Sequence, residues 1–208
     1  DHLPASTNKR SSCFWLYSSG STGKPKGTIH LHESLINTAK FYANNILNIK
    51  EKDIFFSAAK LFFAYGLGNA LTFPLTIGGT SILVKERPSV DIVSRTIKAN
   101  KVTLFFGVPT LYAAMLNTNL DSNSFSTLRL SVSAGEALPK HLCIKWSETV
   151  GSKVLDGIGS TEMLHIFISN KLDDLHPGAS GKPVPGYKAR LLKEDGKKAS
   201  IGEIGELE

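Results

Sequence analysis

A chain of 208 residues, 41% hydrophobic and 20% charged, can bury a sizeable core and is too apolar to be intrinsically disordered. Its net charge of +6 comes from 24 Lys and Arg against 18 Asp and Glu, scattered without a dense basic stripe; this suits an anionic small molecule such as a nucleotide and gives no ground for DNA or RNA binding. Two cysteines, Cys13 and Cys143, make no disulfide framework and have no metal-ligand spacing, which points to a reducing cytoplasm.

Residues 1–11 read as a polar lead-in with no initiator methionine, signal peptide or transit pattern, so the sequence is expected to be partial and open at both ends. Cys13-Phe14-Trp15-Leu16 reads as a buried strand and Thr28-Ile29-His30-Leu31 as a second short one. Between them runs Tyr17-Ser18-Ser19-Gly20-Ser21-Thr22-Gly23-Lys24-Pro25-Lys26-Gly27, the stretch around which the chain is organised. Its three glycines let backbone N–H groups approach an anion, while Ser18, Ser19, Ser21 and Thr22 add hydroxyl donors and Lys24 and Lys26 add positive charge. A loop of this kind suits a polyphosphate. The alternative, a flexible Gly/Ser linker, fits poorly between two strand-like runs. It is not a Walker A loop: only two residues separate Gly20 from Gly23-Lys24, and Pro25 stands where a magnesium-binding hydroxyl is needed.

Farther along, Leu35, Ile36, Ala39, Tyr42, Ala43, Ile46 and Leu47 fall on one helical stripe, and Asp53 to Ala59 reads as a strand. Gly66 to Leu75 predicts a helix ending near Pro74, followed by a strand at Thr80 to Val84, a helix over 89–99 and a strand at Val102 to Phe106. Pro109 and Pro139 suit the first position of a helix, and strands at 128–134 and 153–156 complete the alternation. The predicted fold class is α/β, a mostly parallel sheet layered with helices over residues 1–186. A small β unit is expected to begin at 187–208, with strands at Tyr187 to Leu192 and Ile204 to Glu208 and turns at Asp195-Gly196 and Gly202. Leu61 to Val84 carries no charge, but Asn69, Pro74 and four glycines break it into short soluble elements rather than a membrane span.

Three further stretches carry chemistry. Asp156-Gly157-Ile158-Gly159-Ser160-Thr161-Glu162 follows a strand; its glycines allow a base or ribose against the backbone, Thr161 offers a hydroxyl to a phosphate and Glu162 offers oxygen to Mg²⁺. Read alone, Ser-Thr-Glu is an ordinary helix start. Ser133-Ala134-Gly135-Glu136-Ala137-Leu138-Pro139 is a tight strand-to-helix turn, and Lys60 to Asn69 is an aromatic cluster that without context reads as core. His30, His32, His141 and His176 have no ligand spacing, and no Ser/His/Asp arrangement supports hydrolysis.

The Ser-Gly-Ser-Thr-Gly-x-Pro-Lys-Gly pattern of 18–27, paired with the motif at 156–162, resembles the acyl-adenylate-forming enzymes: acyl-CoA synthetases, luciferases and the adenylation domains of peptide synthetases. The strings Ser57 through Pro74 and Asp156 through Phe167 are similar to the benzoate-activating CoA ligases of that family, and the resemblance runs from about Phe14 onward. It implies ATP, Mg²⁺ and CoA as co-substrates and an aryl carboxylate activated first to an acyl adenylate, then to a thioester. Ser18, Ser19, Gly20, Ser21, Thr22, Gly23, Lys24 and Lys26 would hold the β- and γ-phosphates. Gly135, Glu136 and Ala137 would flank adenine by main-chain contact; Asp156, Gly157 and Thr161 would complete the nucleotide site; Thr161 and Glu162 would be catalytic, with Glu162 on the metal. Phe63, Ala64, Tyr65, Ala134, Gly159, His165 and Ile166 would form a flat slot for the acid. All of this requires Lys24 and Glu162 to face one cleft. The resemblance also implies a missing ribose-binding aspartate, hinge and lysine-bearing C-terminal domain, so this stretch is expected to be inactive alone. A ligase for another aryl or fatty acid, or a nucleotide-binding module without catalysis, stays open, as does the oligomeric state.

Overall fold

The computed structural model describes residues 3–19 and 23–208. Its centre is a seven-stranded sheet in the order β4-β3-β5-β6-β7-β8-β9. The strands are β3 (Ile54–Ser57), β4 (Thr80–Ile82), β5 (Leu104–Gly107), β6 (Leu130–Ser133), β7 (Val154–Gly159), β8 (Ile166–Ser169) and β9 (Lys182–Pro183). β4, β3, β5, β6 and β7 run parallel; β8 and β9 add an antiparallel edge. β5 and β6 are buried along their whole length, as expected of parallel strands covered on both faces.

Alternate residues feed two apolar layers. Phe55, Leu104, Phe106, Leu130, Val132 and Leu155 pack with Tyr42, Leu47 and Phe73 on one face. Phe56, Phe105 and Val154 pack with Val93, Ile97, Tyr112, Met115 and Trp146 on the other. The first layer is roofed by α1 (His32–Thr38), which continues as a wider π-helical segment Ala39–Asn44, and by α2 (Ala64–Leu67), a π-helical segment Gly68–Thr72 and α3 (Phe73–Ile77). The second is covered by α4 (Val90–Asn100), α5 (Pro109–Leu116) and α6 (Lys140–Val150). Ser89 starts α4 by accepting from the Ile92 N–H at 3.3 Å, and Lys101 ends it in the left-handed conformation.

At the base of the sheet the Asp53 carboxylate joins three segments. It accepts from Arg129 Nε at 2.7 Å, Thr103 Oγ1 at 2.9 Å and the Lys50 N–H at 2.7 Å. Arg129 also reaches the carbonyls of Leu47 and Asn48.

Five local expectations change. β1 (Ser12–Ser19) pairs only with β2 (Pro25–Leu31) in an antiparallel hairpin outside the main sheet, so Cys13–Leu16 is not a buried strand: Trp15 is 57% exposed. The helix expected to end near Pro74 runs from Ala64 to Gly78 (φ 70°), because the π-helical turn before Phe73 accommodates a proline in the first turn of the next segment. Pro139 is the N-cap of α6 rather than its first residue. β7 continues through Gly159, because pairing with β8 extends it, so Asp156 to Gly159 lie within a strand rather than after one. In the last stretch the strands are shorter than expected: β10 (Leu191–Leu192) pairs with β11 (Glu206–Leu207) in a separate two-stranded ribbon, and Leu192 also bridges Lys198.

Candidate functional site

A cavity of about 920 Å³ opens where the parallel strands end. Its walls come from the segments following β3, β4, β5 and β6 and from the end of β7, the edge of an α/β sheet at which ligands gather. The residues expected to form an acid slot all line it: Phe63, Ala64 and Tyr65 from the turn into α2, Ala134 from the end of β6, Gly159 from β7, and His165 and Ile166 from the start of β8. Gly135 and Thr161 line the same space.

Close backbone packing sets the shape of this slot. A Cβ on Gly66 would stand 2.1 Å from the Lys60 carbonyl oxygen, so only glycine lets α2 start directly over the Lys60–Phe63 turn. Tyr65 then points its hydroxyl at the carbonyls of Gly107 (3.2 Å) and Val132 (3.3 Å), ending its ring wall against β5 and β6. Phe63, by contrast, is 57% exposed.

His165 is 2% exposed and its Nε2 lies 3.0 Å from Asn69 Oδ1. The rings of Tyr42, Tyr65 and Phe73 surround it with centroids at 5.0, 5.6 and 4.6 Å. Burial pushes its pKa down to about 3, so the imidazole is neutral. It contributes shape and dipole here, without charge.

The loop from Ser160 to His165 is the turn of the β7–β8 hairpin rather than the start of a helix. Ser160 Oγ accepts from the Met163 N–H at 3.1 Å, and Leu164 takes φ 65°, a strained value for a non-glycine residue. This turn presents Glu162 at the surface, where Ser18 Oγ donates to its Oε1 at 3.2 Å. The Glu162 carboxyl is held below its ordinary range by its own backbone N–H first, then by the hydroxyls of Ser160 and Ser18 and by nearby His30. It is therefore a charged oxygen donor at neutral pH. Ser18 pairs across the hairpin with Lys26, and Ser19 with Pro25, so the stem of the serine-rich loop stands beside Glu162. Gly23 (φ 80°) and Lys24 follow in an exposed bend; Gly20, Ser21 and Thr22 lie outside the described residues.

The remaining candidates divide. Gly135 takes φ 97° at the cavity wall, and Glu136 and Ala137 are exposed beside it. Asp156 is turned into the interior: Oδ2 accepts from the Leu138 N–H and from Ser180 Oγ, each at 3.4 Å, and burial raises its pKa. Its carboxylate ties the 135–138 turn to β7. A Cβ on Gly157 would meet Ile166 Cγ2 and the Ile168 carbonyl at 2.8 Å, so that glycine is needed for strand packing.

Four residues carried no assigned role in the sequence reading. His30 is buried beside the Glu162 turn, with burial lowering its pKa. Lys60, Lys85 and Arg87 line the cavity, and the signal available for the last two was a charged Lys-Glu-Arg triplet at a strand end. Among the described residues no three His, Cys, Asp or Glu side chains group to hold a metal. A single ionised carboxylate at Glu162 fits Mg²⁺ only as an ion shared with substrate phosphates.

The AMP-binding enzyme family matches this chain over residues 1–208. The benzoate–CoA ligase of Thauera aromatica is 54% identical over 206 residues, covering 98% of this chain and 39% of that protein. A crystal structure of a benzoate CoA ligase from Burkholderia xenovorans LB400 superposes with TM-score 0.93 at 50% identity, covering 98% of this chain and 41% of that one. The anthranilate CoA ligase AuaEII, solved in complex with anthranoyl-AMP, matches with TM-score 0.93 at 42% identity, over 100% of this chain and 40% of that one. The chain thus spans about two fifths of the length of these relatives.

Proposed function

The chain belongs to the AMP-binding enzyme family, and from that premise we propose that the protein activates a benzoate-like aromatic carboxylate to an acyl adenylate and then to a CoA thioester. The observation that carries this reading is the cavity shared by the aromatic-walled slot and Thr161, with Glu162 and Ser18 beside it. The relatives named above act on benzoate or anthranilate, and one was solved with an aryl adenylate.

In the first step a carboxylate oxygen of the acid attacks the α-phosphorus of ATP, the bond to pyrophosphate breaks, and its electron pair leaves with pyrophosphate. The protein contributes positioning and charge neutralisation. The loop from Ser18 to Lys26 holds the β- and γ-phosphates, Thr161 the α-phosphate, and the main chain at Gly135, Glu136 and Ala137 flanks adenine. Asp156 and Gly157 serve this site through the backbone of β7. Glu162 is the residue that would hold a Mg²⁺ ion, which would supply positive charge to offset that of the phosphates. Phe63, Ala64, Tyr65, Ala134, Gly159, His165 and Ile166 orient the ring; neutral His165 itself offers the acid no positive charge. In the second step the CoA thiolate attacks the acyl carbonyl and AMP leaves.

We also take residues 1–186 as the AMP-binding core and 187–208 as a separate small β unit, and place the protein in the cytoplasm. Among the described residues both cysteines are free, and no helix is long and apolar enough to cross a membrane. A panel of acids offered to the full-length protein with MgATP and CoA tests the reading. Benzoate and small ring-substituted benzoates are expected to give thioesters, with medium-chain fatty acids at least about a hundredfold slower. A preference for fatty acids would transfer the protein to another ligase class, and ATP binding without turnover of any acid would make it a non-catalytic nucleotide module.

A further inference from the structure

Both π-helical segments among the described residues bear on one side chain, His165. Ala39–Asn44 turns the Tyr42 ring against it, with centroids 5.0 Å apart. Gly68–Thr72 turns Asn69 inward, so that its Oδ1 meets His165 Nε2 at 3.0 Å. Widened turns of this kind are rare and gather at functional sites, because the extra residue redirects side chains that a regular helix would carry elsewhere. Asn69 is wholly buried. The segment that carries it is also tied from the other side, where Ser81 Oγ on β4 donates to the Ala70 carbonyl at 2.6 Å.

The imidazole has room for one orientation. A Cβ on Gly68 would run into His165 Cδ2 and stand 2.8 Å from Nε2, so the ring lies directly on the π-helical backbone. A carboxamide oxygen only accepts, so His165 Nε2 donates to Asn69 and Nδ1 carries the lone pair. Nδ1 makes no hydrogen bond among the described residues, and the Tyr65 carbonyl near the ring only partly offsets its burial. The bond to Asn69 is thus the polar anchor of the ring. Asn69 also lies close enough to the Tyr65 hydroxyl to counter part of the rise that burial imposes on its pKa. It therefore stands behind two walls of the acid slot, His165 and Tyr65, without lining the cavity itself.

We propose that Asn69 is a positioning residue for the acid slot: it fixes His165 in one orientation as the Nε2–H tautomer, and so sets the wall against which the aromatic ring of the acid is seated. This rests on the ligase reading given above. Asn69 acts through His165 rather than on the acid.

The test is a double-mutant cycle in full-length protein, read as KM in benzoate-dependent ATP–pyrophosphate exchange. Asn69→Leu removes the acceptor at similar volume and leaves the His165 N–H unpaired. The KM for benzoate is expected to rise at least about tenfold, the size of one buried hydrogen bond left unmade, while the KM for ATP stays within about twofold. In a His165→Phe background there is no imidazole to hold. There the same substitution should change the benzoate KM by less than about threefold, since two apolar partners leave nothing unpaired. Equal effects in both backgrounds, or parallel rises in both KM values, would reduce Asn69 to a purely structural role and overturn the proposal. Should the variants fail to fold, the ring ¹⁵N spectrum of the unsubstituted protein at pH 7 decides: a proton on His165 Nε2 supports the hold, and a proton on Nδ1 overturns it. No exchange with any aryl acid in the unsubstituted protein would sink the ligase reading and the positioning role with it. Exchange with an unmoved benzoate KM in Asn69→Leu sinks the positioning role alone.

Discussion

The Ser18 hydroxyl donates to the Glu162 carboxylate at 3.2 Å across 144 residues of chain. One partner belongs to a hairpin outside the main sheet and the other to the turn between β7 and β8. This contact brings the stem of the serine-rich loop to the acidic turn, as a shared nucleotide cleft requires. Replacing Ser18 with Ala removes one of the hydroxyls that favour the ionised carboxylate. Adenylation, read as ATP–pyrophosphate exchange in full-length protein, is expected to fall about tenfold, the usual effect of one hydrogen bond to a charged group.

His165 gives the fold an acid sensitivity with a definite sign. Its folded-state pKa of about 3 lies below the ordinary 6.5, so the unfolded chain takes up a proton in a range where the native state does not. Stability is therefore lost as pH falls from about 6.5 toward 3, by about 2 kcal/mol between pH 6.5 and 5. Urea unfolding of His165→Gln should show a pH dependence shallower by that amount. An equal slope in both proteins would place the acid sensitivity elsewhere.

Asp53 acts in the same direction at lower pH. Burial alone would raise its pKa, but Arg129, the Lys50 N–H and the Thr103 hydroxyl together hold it below the ordinary carboxylate value. Its contribution is complete above the unfolded carboxyl pKa and is lost as pH falls through the folded one. Asp53→Asn should destabilise by about 3 kcal/mol, the low end for breaking a buried pair, because Arg129 keeps 33% of its side chain exposed. Chemical denaturation at pH 7 reads this directly.

Gly66→Ala tests the turn behind the acid slot. The added carbon would meet the Lys60 carbonyl at 2.1 Å, a backbone atom that cannot rotate away. The expected cost is about 2–3 kcal/mol, or roughly 5–10 °C in melting temperature for a domain of this size. The KM for the acid should rise with it, since Ala64 and Tyr65 move with the turn. An unchanged melting temperature would contradict the packing described.

How much of this was legible in the sequence depended on range. β3 and β5 were readable because strands buried on both faces are largely apolar, β6 because Leu130 and Val132 alternate with serines, and α4 because its apolar stripe is local. The seven acid-slot residues came through resemblance of whole strings, and all seven line one cavity. Features set by distant partners stayed hidden. Asp156 has the same letter whether its carboxylate faces a ligand or Leu138, and only the placement of α6 and the 176–181 loop turns it inward. The exposed face of Trp15 depends on β1 pairing with β2 alone. Lys85 and Arg87 reach the cavity because β4 is the outer neighbour of β3, an order that no local pattern encodes.

The most direct test of the shared cleft is benzoate-dependent ATP–pyrophosphate exchange in full-length protein carrying Glu162→Gln, alongside Glu136→Ala. Glu162 is the ionised carboxylate beside Ser18, whereas the proposed role of Glu136 is main-chain contact only. Exchange should fall at least about a hundredfold in the first variant with its melting temperature preserved, and stay within about threefold in the second. Exchange at the unsubstituted rate in Glu162→Gln would contradict the account.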